Sequence, residues 1–146
     1  MIFMTHKITI LMIEDDEDVA EAMKVMITSK GYTVVNAFTY DDGLAKATAL
    51  KPDMIILDVM LKGKSGFDLS YEIRGNKSIS YIPILMITAI NQQGNGLAFS
   101  PETDDQYLPV DEFINKPAQP QELYEKIEKL LQKKVSTWAN WPEKKA

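Results

Sequence analysis

Polar side chains that can bind a metal ion and a phosphoryl group stand at the ends of four short apolar runs. Glu14 and Asp15 follow ITILMI, Asp58 follows MIIL, Thr88 follows ILMI, and Lys116 follows FIN. Carboxylate oxygens are ligands that Mg²⁺ prefers in proteins. A hydroxyl and an ammonium can hold phosphoryl oxygens. These residue types predict a metal-dependent phosphoryl site, if the fold brings them together.

The apolar runs are typical of buried strands in a parallel sheet, and helical patterns separate them. Ligands bind beyond the carboxyl ends of the strands in such a sheet. We therefore expect one doubly wound α/β domain with helices on both faces, and a site at one sheet edge. The pattern predicts strands over residues 7–13, 32–36, 53–57, 82–87 and 111–115, and helices over about 18–30, 39–51, 66–76 and from 120 onward.

Composition narrows the class of protein. The length of 146 residues fits one domain with a substantial core. The formal charge of −5 disfavours nonspecific binding to nucleic acid or to an anionic membrane. The absence of cysteine excludes disulfides and thiolate metal sites. No apolar run approaches the roughly 20 residues of a membrane span, and MIFMTHK is too short for a signal peptide. We expect a soluble, cytoplasmic protein.

The order of the strand-end residues resembles the receiver domain of two-component response regulators. The resemblance covers roughly residues 7–133. The flavodoxin-like fold of that family implies a five-stranded parallel sheet in the order 2-1-3-4-5, which places Asp15 beside Asp58. The matching residues are the acidic pair Glu14-Asp15, Asp58, Thr88-Ala89, Lys116-Pro117, and Gly66 eight residues after Asp58.

The resemblance implies that Asp58 accepts a phosphoryl group in a reaction that depends on Mg²⁺ or Mn²⁺. Asp15 and Asp58 would bind the metal directly, Glu14 would hold a metal-bound water, and the backbone carbonyl of Met60 would complete the protein ligands. Phosphoryl transfer depends mostly on positioning and on charge neutralisation. Lys116 would neutralise part of that charge.

A switch is implied on the other side of the phosphoryl group. Thr88 and Ala89 would bind its oxygens, and the new bond to Thr88 would draw the following loop inward. The family pairs this movement with an aromatic residue three positions before the lysine, which is Phe113 here; a purely structural core role for Phe113 is equally compatible with its sequence context. The Lys116–Pro117 peptide bond is expected to be cis.

Three departures from the family pattern stand out. Lys62 replaces the usual proline in LKGKSG, which predicts a more mobile loop with a more positive approach, from Lys62 and Lys64, for a phosphodonor. The Asn91–Pro109 segment shows no helical stripe, so the family's fourth helix is degenerate or replaced by a loop. YLPVDEF replaces a small turn before the fifth strand. The last two departures put the family's usual partner and dimer surface in doubt.

We expect residues 1–134 to form the receiver and residues 135–146 to be a tail without an output domain. The chain would be a stand-alone receiver and not an enzyme, apart from self-catalysed phosphotransfer and autodephosphorylation. A sensor histidine kinase or a histidine phosphotransfer protein would be the donor. Signalling would proceed by relay or by binding an unidentified downstream protein, without direct contact with nucleic acid or membrane.

Two other functional classes stay open. A pseudo-receiver would keep the fold and signal without phosphate. A haloacid-dehalogenase-like phosphatase is suggested by Asp16-Glu17-Asp18-Val19, which resembles DxDx(T/V), although helix capping also explains Asp16 and Asp18. His6 is expected to be an exposed terminal residue. Trp138 and Trp141 are expected either to pack on the domain or to dock a partner.

Overall fold

The computed structural model describes residues 7–89 and 109–133. Predictions about His6, the 91–108 segment with its degenerate fourth helix, and the tail with Trp138 and Trp141 lie outside these described residues. Within the described part of the chain, no helix is long and apolar enough to cross a bilayer.

Five parallel strands form the central sheet: β1 (Thr9–Ile13), β2 (Thr33–Ala37), β3 (Met54–Asp58), β6 (Ile84–Thr88) and β7 (Glu112–Asn115). A small hairpin of β4 (Met60–Leu61) and β5 (Lys64–Ser65) follows β3. The order in the sheet is β2-β1-β3-β6-β7. Without the hairpin strands this is the predicted order 2-1-3-4-5, and the predicted fold is confirmed. The helices of the described residues are α1 (Glu17–Thr28), α2 (Tyr40–Leu50), α3 (Gly66–Arg74) and α4 (Pro120–Lys133).

Apolar side chains cover both faces of this sheet. Every residue of β3 and β6 is buried, as expected for parallel strands with helices on both sides. One cluster packs under α2 and α3 and includes Leu69 and Ile73. The other packs under α1 and α4 and includes Met23, Ile27 and Leu123. The sheet is therefore a rigid support whose edges can hold polar groups in place.

Side-chain caps begin the helices next to the site. Asp16 precedes α1 and accepts hydrogen bonds from the N–H groups of Asp18 (2.9 Å) and Val19 (3.2 Å). Thr39 precedes α2 and its hydroxyl accepts from the N–H of Asp42 at 3.0 Å. These caps satisfy N–H groups that a helix leaves unpaired. The caps determine the residue at which each helix begins, next to the sheet edge.

The charged face of α4 forms ion pairs within the helix and with β7. Lys126 lies 3.4 Å from Glu122 of the same helix. Lys129 contacts Glu112 of β7. Glu112 is half-buried, so it offers a less solvated partner than a neighbour on the exposed helix face. The ion pairs of Lys126 and Lys129 with Glu112 connect α4 to β7.

Candidate functional site

Strand register brings the predicted polar residues to one edge of the sheet. In the β1–β3 pair Ile13 lies opposite Leu57, so Glu14 and Asp58 follow side by side. In the β6–β7 pair Thr88 lies opposite Asn115, the residue before Lys116. Backbone hydrogen bonds extend the ladder past the strand ends, for example from the N–H of Lys116 to the Thr88 carbonyl at 2.9 Å. The convergence predicted from the strand ends is present.

Three carboxylates form the centre of the site. Glu14, Asp15 and Asp58 each place one oxygen within 4.8 Å of the others. Glu14 is 1% exposed and Asp58 is 4% exposed. Within the described part of the chain, Glu14 Oε1 makes no well-directed hydrogen bond, although its other oxygen accepts from the Asp16 N–H at 3.0 Å. Three neighbouring carboxylates, one with a buried oxygen that makes no well-directed hydrogen bond, form an all-oxygen set that fits a hard divalent cation such as Mg²⁺.

Lys116 supplies the positive charge beside these acids. Its Nζ donates to Asp58 Oδ2 at 2.9 Å and lies 3.2 Å from Glu14 Oε1. Burial alone would lower the pKa of Lys116, but the two carboxylates raise it above its ordinary value, so the side chain is an ammonium at neutral pH. Burial raises the pKa of Glu14 to about 7, and the neighbouring Asp58 adds to this rise. The site thus holds more negative charge than Lys116 alone can offset.

The carboxylate of Asp58 is oriented by the loop that follows it. Its Oδ1 accepts a hydrogen bond from the Met60 N–H at 3.1 Å. The Met60 side chain is 58% exposed, and it is the backbone N–H of this residue that contacts Asp58. The Lys116–Pro117 peptide bond is cis, as predicted. One oxygen of Asp58 thus accepts from the Lys116 ammonium, and the other accepts from a main-chain N–H.

Gly66 closes the loop directly onto the backbone of Asp58. A Cβ placed on Gly66 would lie 2.1 Å from the Asp58 carbonyl oxygen, far inside van der Waals contact. The N–H of Gly66 donates to the Val59 carbonyl at 2.7 Å. Gly66 matched the family loop by position only, and this steric reason for a glycine could not be read from the sequence.

The LKGKSG loop has a defined form. Lys62 and Gly63, with φ of +43° and +83°, turn the chain between β4 and β5. A proline at position 62 is incompatible with this φ, since its ring fixes φ near −65°. Lys64 Nζ lies 5.0 Å from the ring centre of Tyr40 and 3.6 Å from Asp41 of α2. The mobile loop expected from the missing proline is therefore a closed hairpin here, attached to α2.

The predicted switch residues lie at the end of β6 and in the neighbouring strand β7. Thr88 is 1% exposed, and its Oγ1 has no hydrogen-bond partner among residues 7–89 and 109–133. Ala89, half-buried, follows it directly. Phe113 is also half-buried and packs against the cluster under α2 and α3. Its ring centre lies 6.5 Å from that of Phe67, with the ring planes at 50°. Phe113 is thus part of the core surface and also near the site.

One buried ion pair was missed by sequence reasoning. Arg74, the single arginine of the chain, is 0% exposed. Burial lowers its pKa to about 10, while Asp111 opposes this shift. The guanidinium donates to the carbonyls of Pro109, Ser80 and Ile82 and to Asp111 Oδ2, at 2.6 to 2.9 Å. It joins the end of α3 to the segments that lead into β6 and β7.

A model of the response regulator receiver domain family matches residues 10–128. This chain belongs to that family. Its members act in two-component systems, in which phosphorylation and Mg²⁺ binding are general. The receiver domain is a phosphoacceptor signalling domain and not an enzyme of the usual kind.

Three known proteins illustrate the similarity. The phosphate regulon transcriptional regulatory protein PhoB of Pseudomonas aeruginosa is 32% identical over 127 residues, which cover 86% of this chain and 52% of that protein. A crystal structure of a response regulator from Chloroflexus aurantiacus has a TM-score of 0.76 at 29% identity and covers 88% of this chain and 100% of that one. The receiver domain of a sensor histidine kinase from Pseudomonas aeruginosa, solved with a magnesium ion coordinated in its active-site cleft, shares the fold at a TM-score of 0.73 and 22% identity, covering 87% and 99% of the two chains.

The chain spans about half the length of the curated relatives it matches. Several of those relatives are transcriptional regulators. The similarity therefore establishes the receiver domain.

Proposed function

We propose that this receiver accepts a phosphoryl group on Asp58 from a phosphohistidine, carried by a sensor histidine kinase or a histidine phosphotransfer protein. The observation that supports this most is the Asp58 carboxylate itself. It lies at the end of β3, bound by Lys116, within 4.8 Å of two further acids. The downstream step is a phosphorylation-dependent protein contact or onward relay.

The transfer needs one bond to form and one to break. A carboxylate oxygen of Asp58 bonds to phosphorus, while the bond from phosphorus to the donor's imidazole nitrogen breaks and the nitrogen keeps the bonding electrons. The Met60 N–H and the Lys116 ammonium hold the carboxylate in position for this attack. A divalent cation held by Glu14, Asp15, Asp58 and the Met60 carbonyl would offset the charge of the carboxylates and the phosphoryl oxygens.

The product acyl phosphate places new oxygens beside groups that can bind them. Lys116 passes from the Asp58 carboxylate to a phosphoryl oxygen, and the buried Thr88 hydroxyl gains the acceptor that it lacks among the described residues. The backbone N–H of Ala89, the next residue, can also donate to a phosphoryl oxygen. A buried hydroxyl without a partner is costly, so its new bond favours the shifted position of the segment after β6. This shift is the signal.

The phosphatase alternative loses support at Asp16. Its carboxylate caps α1 through two main-chain N–H groups and is therefore occupied by a structural role. The pseudo-receiver alternative would leave a complete set of acids, hydroxyl and ammonium without a use. Within residues 7–89 and 109–133, no observation favours either alternative.

The test is incubation with acetyl phosphate and Mg²⁺, followed by intact mass. We expect one added phosphoryl group in the wild type, none in Asp58→Asn, and none when a chelator removes the metal. Asp16→Asn is the matched control, because asparagine also caps helices, and it should be modified like the wild type. An unmodified wild type would support the pseudo-receiver, and an adduct in Asp58→Asn would place the acceptor elsewhere. Repeated hydrolysis of a phosphomonoester would support the phosphatase.

A further inference from the structure

We infer that Phe67 is a positioning residue for the switch: its ring stabilises the position of Phe113 found in this structure, and so sets how readily the receiver takes its phosphorylated form. The inference rests on the proposed function of Asp58. It concerns a residue in the first turn of α3, outside the phosphoryl site.

The first contact in this connection joins the acceptor to the start of α3. Gly66 touches the carbonyl of Asp58 and donates its N–H to Val59. Ser65 caps the helix and accepts from the Phe67 N–H at 3.0 Å. Phe67 is therefore anchored, through its backbone and its neighbour, to the main chain that carries the acceptor.

The second contact joins Phe67 to β7. Its ring centre lies 6.5 Å from that of Phe113 at an angle of 50°, within the geometry of a favourable tilted aromatic pair. Both rings are half-buried and pack against the same apolar cluster. Lys126 of α4 donates to the Phe113 carbonyl, and Met86 lies opposite Phe113 in β6. The backbone of Phe113 is thus held on two sides, so a change at this position is a movement of its ring.

The state described here is the one in which Thr88 Oγ1 lacks a partner within the described residues. When the switch moves the Phe113 ring away from Phe67, their contact is lost, and the contact therefore opposes phosphoryl binding by linkage. An aromatic pair contributes an amount that corresponds to about two- to tenfold in an equilibrium constant. Removing the Phe67 ring should raise the affinity for a phosphoryl analogue by about this factor.

The experiment measures binding of beryllofluoride, a phosphoryl analogue, at saturating Mg²⁺. We expect Phe67→Ala to bind it about two- to tenfold more tightly than the wild type and Phe67→Leu to give an intermediate value. Phe38→Ala, which removes an exposed phenylalanine outside the pair, should bind like the wild type. Thermal unfolding checks that each variant folds; a loss of core packing alone lowers stability and does not tighten binding.

A double-mutant cycle with Phe113→Leu identifies the partner. The effect of Phe67→Ala should disappear in the Phe113→Leu background. In fluorophenylalanine-labelled protein, the ¹⁹F resonance of Phe113 should lie nearer its beryllofluoride-bound position in Phe67→Ala before the analogue is added. Unchanged or weaker binding in Phe67→Ala, or an effect that persists without the Phe113 ring, overturns the inference alone. A wild type that binds no beryllofluoride overturns the proposed function with it.

Discussion

Replacing Gly66 with alanine tests whether the start of α3 positions Asp58, the proposed phosphoacceptor. The added Cβ would lie 2.1 Å from the Asp58 carbonyl oxygen, 3.0 Å from its carbonyl carbon and 3.1 Å from the Val59 Cα. All three neighbours are backbone atoms, so no side-chain rotation relieves the overlap. The end of β3 and the start of α3 must move apart.

The size of that movement follows from ordinary contact distances. Non-bonded heavy atoms settle near 3.5 Å, so the overlap requires a displacement of roughly 1 Å. A misplacement of about 1 Å at a reacting group can reduce a rate by about a hundredfold. Overpacking costs about 1 to 3 kcal/mol, and the gain of about 0.5 to 1 kcal/mol from replacing a helical glycine offsets only part of this. We expect a net loss of stability of about 1 to 2 kcal/mol.

Gly75 provides the matched control, because it ends the same helix. A Cβ there meets its nearest atoms at 3.5 Å and 3.7 Å, which is ordinary contact. Rates of phosphorylation by acetyl phosphate and midpoints of urea unfolding should fall for Gly66→Ala and stay near the wild type for Gly75→Ala. If Gly66→Ala is phosphorylated within twofold of the wild-type rate at unchanged stability, the steric account of this glycine is incorrect.

Two further predictions concern charged pairs. Arg74→Met should lower the free energy of unfolding, measured with urea, by about 3 to 5 kcal/mol, because the buried Asp111 carboxylate loses its guanidinium partner. The double variant Arg74→Met with Asp111→Asn should recover part of that loss. Additive losses in the double variant would contradict the pairing. Burial alone would raise the pKa of Glu112, but Lys129 and Lys126 lower it. A carboxylate whose pKa is lowered in the folded state stabilises the fold above its unfolded-state pKa, and this stabilisation is lost as pH falls through the folded-state pKa. Glu112→Gln should therefore lower the free energy of unfolding by less than about 1 kcal/mol at pH 7 and leave it unchanged in strong acid. An equal loss of stability at both pH values would refute the electrostatic origin.

The fold and the convergence of the polar side chains at one sheet edge were predictable because both follow from periodicity. Buried parallel strands read as continuous apolar runs, and the polar residue after each run marks a strand end at the same sheet edge. Strand and helix boundaries shifted by one or two residues, since end residues contribute little to the pattern; β2 begins at Thr33 where the pattern predicted residue 32. These shifts leave Asp58 and Lys116 where they were expected.

Contacts between elements distant in sequence were not predictable. Arg74 reaches Asp111 across 37 positions, and the only available signal was a single arginine, beside Ile73 on the apolar face of α3, in a chain that otherwise uses lysine. The Lys62–Gly63 turn carried a usable signal, because a glycine between two short runs favours a hairpin. The missing proline predicted a mobile loop, and that prediction did not use this glycine signal. The Arg74 side chain, by contrast, contacts a partner that local pattern does not specify.

The first turn of α3 is where the proposed phosphoacceptor site and the proposed switch meet. Ser65 caps the helix, Gly66 lies against the Asp58 backbone, and the Phe67 ring pairs with the Phe113 ring. Neighbouring substitutions should therefore act with opposite signs: Gly66→Ala displaces the acceptor and slows phosphorylation, whereas Phe67→Ala releases the switch and tightens analogue binding. General destabilisation weakens both properties together. Opposite effects of substitutions at adjacent positions require that this turn makes two separate contacts, one with Asp58 and one with β7.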